Sequence, residues 1–302
     1  MKLIITGARG RLGRVLRQTL GERGHQVTAF SRNADASHLP LSALAEAIEA
    51  GGVDTILHLA WSTVPATAEQ DPGVEWREDL PLLASSLGVL AREQAKQGRA
   101  PRLIFFSTCA VYGEPSGETA STERDEPRPK GWYAAGKVAA ERLIGRFTDR
   151  TGIPAMILRI TNPYGFTQGE QCLQGVIPAM VQAALAGAPF FVWGAGDARK
   201  DYLHIGDFCD AVARAVEGGK SGTFNVASGV SRTVGEVAEA IEKVTGRKLN
   251  LRHEAARPWD VQRGKYDNRQ WRKESGWNCG KDFEEGLREF VSLLGQGKKA
   301  QR

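Results

Sequence analysis

The chain has 302 residues, of which 41% are hydrophobic and 25% are charged, a composition that is ordinary for a globular protein with a sizeable core. The net charge of +5 comes from 40 basic and 35 acidic residues interspersed along the chain, without the concentrated basic face that nucleic-acid binding requires. No run of about 18 uncharged apolar residues occurs, so no membrane span is expected, and the apolar run at residues 3–5 is too short for a signal peptide. The cysteines form no CxxC pair and the histidines no metal-ligand spacing, so we expect reduced thiols, no metal site and a cytoplasmic location.

Short apolar runs alternate with amphipathic helical patterns through the first 160 residues. The predicted strands are residues 3–5, 27–30, 55–59, 103–106 and 155–160, and the predicted helices are residues 11–23, 75–96 and 131–147. This alternation is typical of the doubly wound α/β class, in which helices cover both faces of a parallel (Rossmann) sheet. Proteins of this class bind their ligand at the carboxyl ends of the strands.

The second half of the chain has a looser pattern, because prolines and glycines divide it into shorter pieces. Residues 223–227 (TFNVA) nevertheless have the composition of a strand that returns to the main sheet. The predicted organisation is a larger domain over residues 1–161 to which residues about 200–232 return, a smaller C-terminal lobe of residues 162–199 and 233–295, and a disordered tail of residues 296–302.

A glycine-rich loop joins the first predicted strand to the first predicted helix. Its sequence, TGARGRLG, has glycines at positions 7, 10 and 13, which permit a tight turn, a close backbone approach to a pyrophosphate and close packing of helix on strand. The N–H groups at the helix N-terminus then bind the phosphates. The loop predicts a dinucleotide site in the larger domain, formed by Gly7, Arg9, Gly10, Arg11, Leu12 and Gly13.

The end of the second predicted strand bears on which dinucleotide binds. The acidic residue that binds the ribose 2′-hydroxyl in NAD-dependent proteins is missing, and Ser31-Arg32 stands there instead. An arginine at this place accommodates the 2′-phosphate of NADP, and Arg9 is a second candidate partner for that phosphate. The alternative interpretation is that both arginines are ordinary solvated surface residues without a ligand. NAD and NADP therefore both stay open as the cofactor, and NADP is favoured.

A tyrosine and a lysine stand four residues apart in the third predicted helix, in the sequence YAAGK. Tyr133 and Lys137 therefore share one helix face. An ammonium near a phenol stabilises the phenolate, so Lys137 is expected to lower the pKa of Tyr133 and to make it an acid–base group near neutral pH. Ser107 and Thr108 add two hydroxyls at the end of the preceding predicted strand, where the ligand should lie.

These motifs together resemble the extended short-chain dehydrogenases/reductases, in particular their NAD(P)-dependent nucleotide-sugar epimerase/dehydratase family. The resemblance covers nearly the whole chain. Besides the glycine loop it rests on STCAVYG at residues 107–113, YAAGK at 133–137, RITNPYG at 159–165, VWGAG at 192–196, KDYLHIGD at 200–207, RPWDV at 257–261 and SGW at 275–277.

The resemblance implies a role for each matching residue. Tyr133 would be the acid–base group, Lys137 its activator and a ligand of the cofactor ribose, and Thr108 a ligand of the substrate hydroxyl. Leu59 and Ala60 would contact the cofactor at the end of the third strand. The residues that would bind the nucleotide part of the substrate are Asn162, Trp193, Lys200 and Arg257. Two of them have a structural alternative, because Asn162 could be a turn residue and Trp193 a core residue.

Three departures from the family pattern bear on the reaction. Lys200 replaces an arginine and offers phosphate a point charge instead of a bidentate fork. Cys109-Ala110 stands where sugar 4,6-dehydratases have an Asp-Glu pair, which argues against dehydration. Gly264 stands near the position where epimerases have a residue bounding the sugar pocket, and it suggests room for a larger sugar substituent.

Two enzymatic activities fit the resemblance. The favoured one is C4 epimerisation of a nucleoside-diphosphate hexose through a transient 4-keto intermediate, which RITNPYG and the following Gln174-Gly175 support. The alternative is an NADPH-dependent 4-keto-(deoxy)sugar nucleotide reductase, which Arg9, Arg32 and the short stretch between the second and third strands support. A third hypothesis is a non-catalytic dinucleotide sensor, although a sensor would not need to keep the catalytic residues.

The expected partners follow from the same resemblance. A nucleotide sugar would be the substrate, and neither nucleic acid nor a membrane is expected to bind. Members of the family usually form dimers through two long helices, which here would be the predicted helices 75–96 and 131–147. A homodimer is therefore expected, with burial of those helix faces inside one chain as the alternative.

Overall fold

The computed structural model describes residues 1–115, 117, 119–166 and 175–299. Within these ranges the chain forms twelve strands and ten α-helices, and a π-helical turn, Glu75–Asp79, precedes the fourth helix. In chain order the elements are β1 (Lys2–Thr6), α1 (Arg11–Glu22), β2 (Gln26–Ser31), β3 (Leu39–Pro40), α2 (Leu44–Glu49), β4 (Thr55–His58), α3 (Pro65–Gln70), α4 (Leu80–Gln97), β5 (Arg102–Thr108), α5 (Trp132–Thr151), β6 (Ala155–Ile160), β7 (Asn162–Tyr164), α6 (Val176–Ala186), β8 (Pro189–Trp193), β9 (Arg199–His204), α7 (Ile205–Glu217), β10 (Gly222–Val226), β11 (Ser231–Thr233), α8 (Val234–Thr245), β12 (Asn250–Glu254), α9 (Arg269–Ser275) and α10 (Phe283–Lys299).

The largest sheet has seven strands in the order β10-β6-β5-β4-β1-β2-β3. The pairs β1/β2, β1/β4, β4/β5 and β2/β3 are parallel. This mostly parallel sheet is flanked by helices, which confirms the predicted doubly wound α/β (Rossmann) class. Its strands β1 to β6 follow the order 3-2-1-4-5-6, in which the ligand crevice lies at the switch point between the neighbouring strands β1 and β4, where the chain connections leave in opposite directions.

Apolar periodicity explains most of the element bounds. α1 buries Leu16 and Leu20, one helical turn apart, against the sheet. The predicted helix 75–96 is different, because α4 begins only at Leu80. Pro81 lacks a backbone N–H and is tolerated in a first helical turn but not in a helix interior. The preceding residues form the π-helical turn instead.

Two compact units make up the chain. The first contains Met1–Val111, Pro127–Arg159 and Ala211–Phe224. Its core is a continuous cluster of buried apolar side chains from the central strands and from α2, α4 and α5. Members of this core include Ile4, Ile56, Leu87, Leu103 and Ile144.

The second unit contains Tyr112–Glu126, Ile160–Asp210 and Asn225–Arg302, as far as these ranges are described. It holds a three-stranded sheet, β11-β9-β7, and a two-stranded sheet, β12-β8. Helix α8 packs between α6 and α10. Its N-terminus is closed by a capping box, in which Glu236 N–H donates to Thr233 Oγ1 (2.9 Å) and Thr233 N–H donates to Glu236 Oε2 (2.6 Å).

Several segments that were predicted for the larger domain lie in the second unit, namely residues 112–126, 160–161, 200–210 and 225–232. Residues 112–126 belong there because Ser121 N–H donates to Lys265 O (2.9 Å) and Asp267 N–H donates to Ser121 O (2.9 Å). Residues 200–210 belong there because β9 is the central strand of its three-stranded sheet. The chain returns to the first unit only at Ala211.

The C-terminal part of the chain also differs from the prediction. Strand β10 lies at the edge of the seven-stranded sheet, where residues 223–227 were predicted to return. Helix α10 continues to Lys299, so residues 296–299 are helical rather than disordered, and the remaining residues of the predicted tail lie outside the described ranges. No helix in the part of the chain that the structure describes has the length and hydrophobicity needed to cross a bilayer.

Candidate active site

The glycine-rich loop lies at the carboxyl edge of the seven-stranded sheet, beside the end of β4. Leu59 N–H donates to Thr6 O (3.3 Å), and Ala60 N–H donates to Thr6 Oγ1 (3.2 Å). Gly7 has a φ of +70°, and a Cβ at that position would lie 2.8 Å from the Ala60 nitrogen. The structure therefore brings the predicted cofactor residues Gly7, Leu59 and Ala60 together, at a point with no space for a side chain on the loop.

The N-terminus of α1 continues this surface. Gly10 is the N-cap, and among the described residues no side chain caps the helix. The first hydrogen bond within the helix runs from the Arg14 N–H to the Gly10 carbonyl (3.0 Å). The N–H groups of Leu12 and Gly13 come before it, so no carbonyl of the helix can accept from them. A Cβ at Gly13 would lie 2.4 Å from the Gly7 oxygen, so the helix packs directly on the loop backbone. This cradle fits the pyrophosphate of a dinucleotide.

The two arginines proposed for a 2′-phosphate are both paired with carboxylates. Arg9 Nη1 lies 3.5 Å from an Asp35 carboxylate oxygen. Arg32 Nη2 lies 2.8 Å from a Glu78 carboxylate oxygen. Since a 2′-phosphate would have to approach these carboxylates, the presence of the arginines alone does not define an NADP site.

Asp35 is an acidic residue near the end of β2 that the sequence reasoning missed. It stands in a turn four residues beyond the strand, whereas the familiar pattern places the acid directly after the strand. His38 Nδ1 lies 2.8 Å from Asp35 Oδ1, and this hydrogen bond holds the pKa of Asp35 well below its usual range. Ser31 Oγ donates to the Asn33 carbonyl (2.5 Å) at the start of the same turn.

Tyr133 and Lys137 lie in the first two turns of α5, as predicted. Lys137 Nζ donates to the Phe106 carbonyl of β5 (2.8 Å). The same ammonium lies 3.8 Å from the centroid of the Trp61 ring and 5.9 Å from that of the Tyr133 ring. Burial lowers the pKa of Lys137 to about 7.

The phenol of Tyr133 does not have the lowered pKa that the sequence reasoning expected. Burial is the main cause that raises its pKa to about 12, and the negative charges of Glu75 and Asp79 add to the effect. Lys137 carries only part of its charge at neutral pH, because its own pKa is about 7. For the polypeptide alone, the expectation that Lys137 makes Tyr133 acidic is therefore wrong.

Thr108 ends β5, and the residue before it ties the strand to α5. Thr108 Oγ1 accepts a backbone N–H from two residues further on (3.2 Å). Ser107 Oγ donates to Glu141 Oε1 (2.5 Å), and Glu141 forms a buried ion pair with Arg159 (Nη2 to Oε2 2.6 Å). This network fixes the strand end that carries Thr108 to the helix that carries Tyr133, and sequence reasoning did not find it.

A buried acidic turn is the second feature that sequence reasoning missed. Glu75 is fully buried and Asp79 is 2% exposed. Asp79 Oδ1 accepts the Ser62 N–H (2.9 Å) and hydroxyl (2.7 Å), and Glu75 Oε1 accepts the Thr63 hydroxyl. Burial raises the pKa of Asp79. Isolated π-helical turns are rare and frequently occur at functional sites.

A cavity of about 390 Å³ lies in the second unit. The guanidinium of Arg257 lies 3.7 Å from the centroid of the Trp193 ring. Lys200 Nζ donates to the Val261 carbonyl (2.6 Å) and lies 3.8 Å from an Asp260 carboxylate oxygen. All four residues predicted to bind the substrate line this cavity, namely Asn162, Trp193, Lys200 and Arg257.

The structural alternatives for two of these residues have different outcomes. Trp193 is 40% exposed, so it is not a core residue. The Asn162 amide donates to the Asp201 carbonyl (2.8 Å), so its side chain ties β7 to β9 while it also lines the cavity. Phe191 and Tyr202 are two aromatic residues that also line the cavity.

The comparison with known families agrees with this geometry. Residues 3–227 match the model of the NAD-dependent epimerase/dehydratase family. The chain belongs to that family. It is therefore an enzyme of a nicotinamide-dependent class, and the predicted recognition is confirmed.

Individual relatives within the epimerase/dehydratase family carry different activities in their names. The chain is 27% identical over 275 residues to a UDP-glucose 4-epimerase of Corynebacterium glutamicum, covering 82% of each chain. It is 28% identical over 319 residues to a dTDP-glucose 4,6-dehydratase of Streptomyces niveus, covering 96% of this chain and 92% of the relative. The structure of Thermus thermophilus UDP-glucose 4-epimerase in complex with NAD has a TM-score of 0.88 and 24% identity, covering 98% of this chain and 99% of that one, and it supports the fold.

Other positions singled out as family features contribute less to the site. Gln174 lies outside the described residues. A Cβ at Gly264 would lie 2.9 Å from the Tyr266 hydroxyl, but Gly264 also lines a cavity of about 540 Å³ in the second unit, so the expected room for a larger sugar substituent stays a prediction. Among the described residues, no group of three His, Cys, Asp or Glu side chains is placed to bind a metal ion.

His58, at the end of β4, makes the folded state of this family member sensitive to acid. The imidazole is fully buried and stacked on Phe105 with 6.1 Å between ring centroids. Neither ring nitrogen has a hydrogen-bond partner among the described residues. Burial lowers the pKa of His58 from 6.5 to about 3.

The variant His58→Leu is expected to unfold at a lower pH than the wild type. Between pH 6.5 and about 3 the unfolded chain binds a proton that the folded chain does not, so folding stability falls as the pH falls, by up to about 5 kcal/mol. Urea unfolding followed by circular dichroism across this pH range measures the effect. At pH 8 the imidazole is neutral in both the folded and the unfolded state. The difference in unfolding free energy between the two proteins at that pH therefore reports only the change in packing. Parallel pH curves for the two proteins would contradict the assignment.

Proposed function

We propose that the protein is an NAD-dependent C4 epimerase of a nucleoside-diphosphate hexose and that it keeps its dinucleotide bound through the catalytic cycle. The observation that carries the proposal is the cavity of the second unit, where Trp193, Lys200 and Arg257 lie together. An exposed aromatic ring suits a nucleotide base, and two cations suit a diphosphate. UDP-glucose and dTDP-glucose, which appear in the names of the relatives, both belong to this ligand class.

The catalytic residues of the first unit suit oxidation and reduction of a sugar alcohol. The dinucleotide, when bound, supplies the hydride acceptor and donor. Tyr133 would take the proton of the C4 hydroxyl and return it, and Thr108 would hold the same oxygen by a hydrogen bond. A cationic ring next to Tyr133 favours the phenolate and opposes the burial that raises its pKa to about 12.

Two other activities are less well supported by the side chains. Dehydration is disfavoured because Cys109 is 1% exposed and donates its thiol to the Arg159 carbonyl (3.1 Å), and Ala110 offers no acid. The NADPH-dependent 4-keto-(deoxy)sugar nucleotide reductase remains the alternative, supported by Arg9 and Arg32. The matching family model is NAD-dependent and the Thermus thermophilus epimerase was solved with NAD, so we propose NAD as the cofactor.

The test of this function is interconversion of C4 epimers without added cofactor. Purified protein is incubated separately with UDP-glucose, UDP-galactose, UDP-N-acetylglucosamine and UDP-glucuronic acid, together with the dTDP-hexoses, and the products are identified by proton NMR. The proposal predicts that one pair of C4 epimers reaches the same equilibrium from either side. A 4-keto-6-deoxy product would indicate a dehydratase, and turnover only of a 4-keto sugar with added NADPH would indicate the reductase.

The assembly and location stay predictions from the sequence. We propose a homodimer formed through α4 and α5, and α5 leaves Leu143 36% and Trp132 47% exposed. A cytoplasmic location and the absence of nucleic-acid and membrane partners are likewise proposed. The dinucleotide-sensor hypothesis makes no use of Tyr133, so the substitution that opens the Discussion tests it.

A further inference from the structure

The buried acidic turn carries more negative charge than its immediate hydrogen bonds satisfy. One carboxylate oxygen of each acid is bonded to a hydroxyl of the loop after β4. The other oxygens, Oε2 of Glu75 and Oδ2 of Asp79, are buried and have no hydrogen-bond partner among the described residues. Buried polar atoms without partners are uncommon and costly, and a catalytic or redox role or a bound water or ion is among the explanations for them.

The surrounding titratable groups do not neutralise the turn. On α5, Lys137 is the cation that acts on both carboxylates, and burial leaves it only partly charged at neutral pH. Glu141, also on α5, is already paired with Arg159. On β4, His58 is neutral because its pKa is about 3.

The remaining charges of the turn point elsewhere. Arg77 pairs with Asp71 (2.5 Å), and Glu78 pairs with Arg32 (2.8 Å), and all four side chains are about half exposed. These pairs are screened by solvent and contribute little to the buried charge. Two buried carboxylates thus face one partly charged ammonium.

This charge lies next to the proposed catalytic tyrosine. A Cβ at Gly136 would lie 3.0 Å from Glu75 Cγ, so α5 packs on the turn within the catalytic YAAGK segment. The charges of both Glu75 and Asp79 act on Tyr133. Oxidation of an alcohol removes the hydride and the proton from one H–C–O–H group, so the nicotinamide must bind near whichever residue takes the proton.

We propose that Glu75 and Asp79 form a charge site for the nicotinamide that favours its oxidised, cationic form over its neutral, reduced form. The inference rests on the proposed role of Tyr133, which places the ring beside the turn. A buried negative charge attracts the oxidised nicotinamide ring, which is positively charged. The reduced ring is neutral, so it gains no such attraction. The bound dinucleotide would then have a lowered reduction potential, so that hydride is readily returned to the keto sugar and the enzyme rests with oxidised cofactor.

The test measures the reduction potential of the dinucleotide in the holoprotein. Glu75→Gln and Asp79→Asn remove one charge each and preserve side-chain shape. Protein reconstituted with NAD is equilibrated at pH 8 with a redox couple of known potential, and the reduced fraction is followed by near-ultraviolet absorbance. Each substitution should favour the reduced dinucleotide by about tenfold relative to wild type, which equals a rise of about 30 mV for a two-electron couple.

Glu93→Gln is the matched control. Glu93 is 3% exposed in α4, the helix that follows the acidic turn, accepts a hydrogen bond from Gln97 Nε2 (2.5 Å), and lies 14 residues beyond Asp79, about 21 Å along the helix axis. Its substitution should leave the potential unchanged. Thermal unfolding of each variant identifies any variant that fails to fold. If one of the two acidic-turn variants does not fold, the reduction potential measured for the other one tests the proposal.

The outcomes separate this inference from the proposed function. If the folded acidic-turn variants keep the wild-type potential, or shift it no more than Glu93→Gln does, the charge site is refuted. If the potential shifts as expected but no C4 epimer forms from any sugar nucleotide, the charge site stands and the epimerase proposal fails.

Discussion

The variant Tyr133→Phe is expected to lose about 100- to 10,000-fold in kcat, the usual contribution of a positioned acid–base group. It should keep its affinity for NAD, because only the hydroxyl is removed and the ring stays in place. Lys137 should also stay in place, since its hydrogen bond runs to the Phe106 carbonyl and not to Tyr133. Steady-state epimerase assays, and titration of cofactor-stripped protein with NAD followed by intrinsic fluorescence, measure the two quantities.

The two readouts together distinguish the hypotheses for this residue. Unchanged turnover in Tyr133→Phe would contradict its catalytic role. Loss of NAD affinity in parallel with turnover would mean that the substitution disturbs the fold, which a thermal unfolding curve would show independently. For a dinucleotide sensor, neither cofactor affinity nor any regulatory response should change.

The variant Gly13→Ala is expected to lose dinucleotide binding and about 1–3 kcal/mol of stability, the usual effect of overpacking a close contact. The added Cβ would lie 2.4 Å from the Gly7 oxygen and 2.7 Å from the Ala8 Cα. Both neighbours are backbone atoms, so no side-chain rotation relieves the clash. The loop must move away from the helix N-terminus, and the cradle for the pyrophosphate is lost. Urea unfolding and isothermal titration with NAD measure the two effects.

Gly21→Ala provides the matched control in the same helix. A Cβ at Gly21 has no atom within 4 Å among the described residues. Because glycine costs about 0.5–1 kcal/mol relative to alanine inside a helix, this variant should be slightly more stable than wild type and should bind NAD unchanged. If Gly13→Ala binds NAD like Gly21→Ala, the loop is not the pyrophosphate cradle.

The larger sheet could be predicted because its signals are local. The apolar runs at β1, β4, β5 and β6 are buried strands that need no partner information to recognise. The glycine loop predicted its own position between β1 and α1 from spacing alone, whereas the contact with the end of β4 at Ala60 came from the family resemblance. The substrate residues came from resemblance, since nothing local links Asn162 to Arg257.

The errors come from interactions between distant residues. Local patterns could not show that Ser121 hydrogen-bonds with Lys265, which assigns residues 112–126 to the second unit. The raised pKa of Tyr133 depends first on burial and then on the charges of Glu75 and Asp79, which stand more than fifty positions away in the chain. A helical reading of residues 75–96 concealed the acidic turn, although Pro81 already indicated that the regular helix begins late.

The pairing of Arg9 shows the same limit on a smaller scale. An arginine of the glycine loop, such as Arg9, indicates a 2′-phosphate site only if its guanidinium is available to bind one. Asp35, which is four residues beyond the strand, reaches within 3.5 Å of that guanidinium because a turn closed by His38 brings it back. The sequence contained both residues but not the turn geometry that joins them.

The central claim is that this family member is an epimerase that retains NAD. It is tested most directly by denaturing freshly purified protein and identifying the released cofactor by mass spectrometry. The account predicts about one NAD per chain, present without any having been added. A protein that releases no dinucleotide, and that afterwards binds NADPH more tightly than NADH, would contradict the account and would identify a ketoreductase.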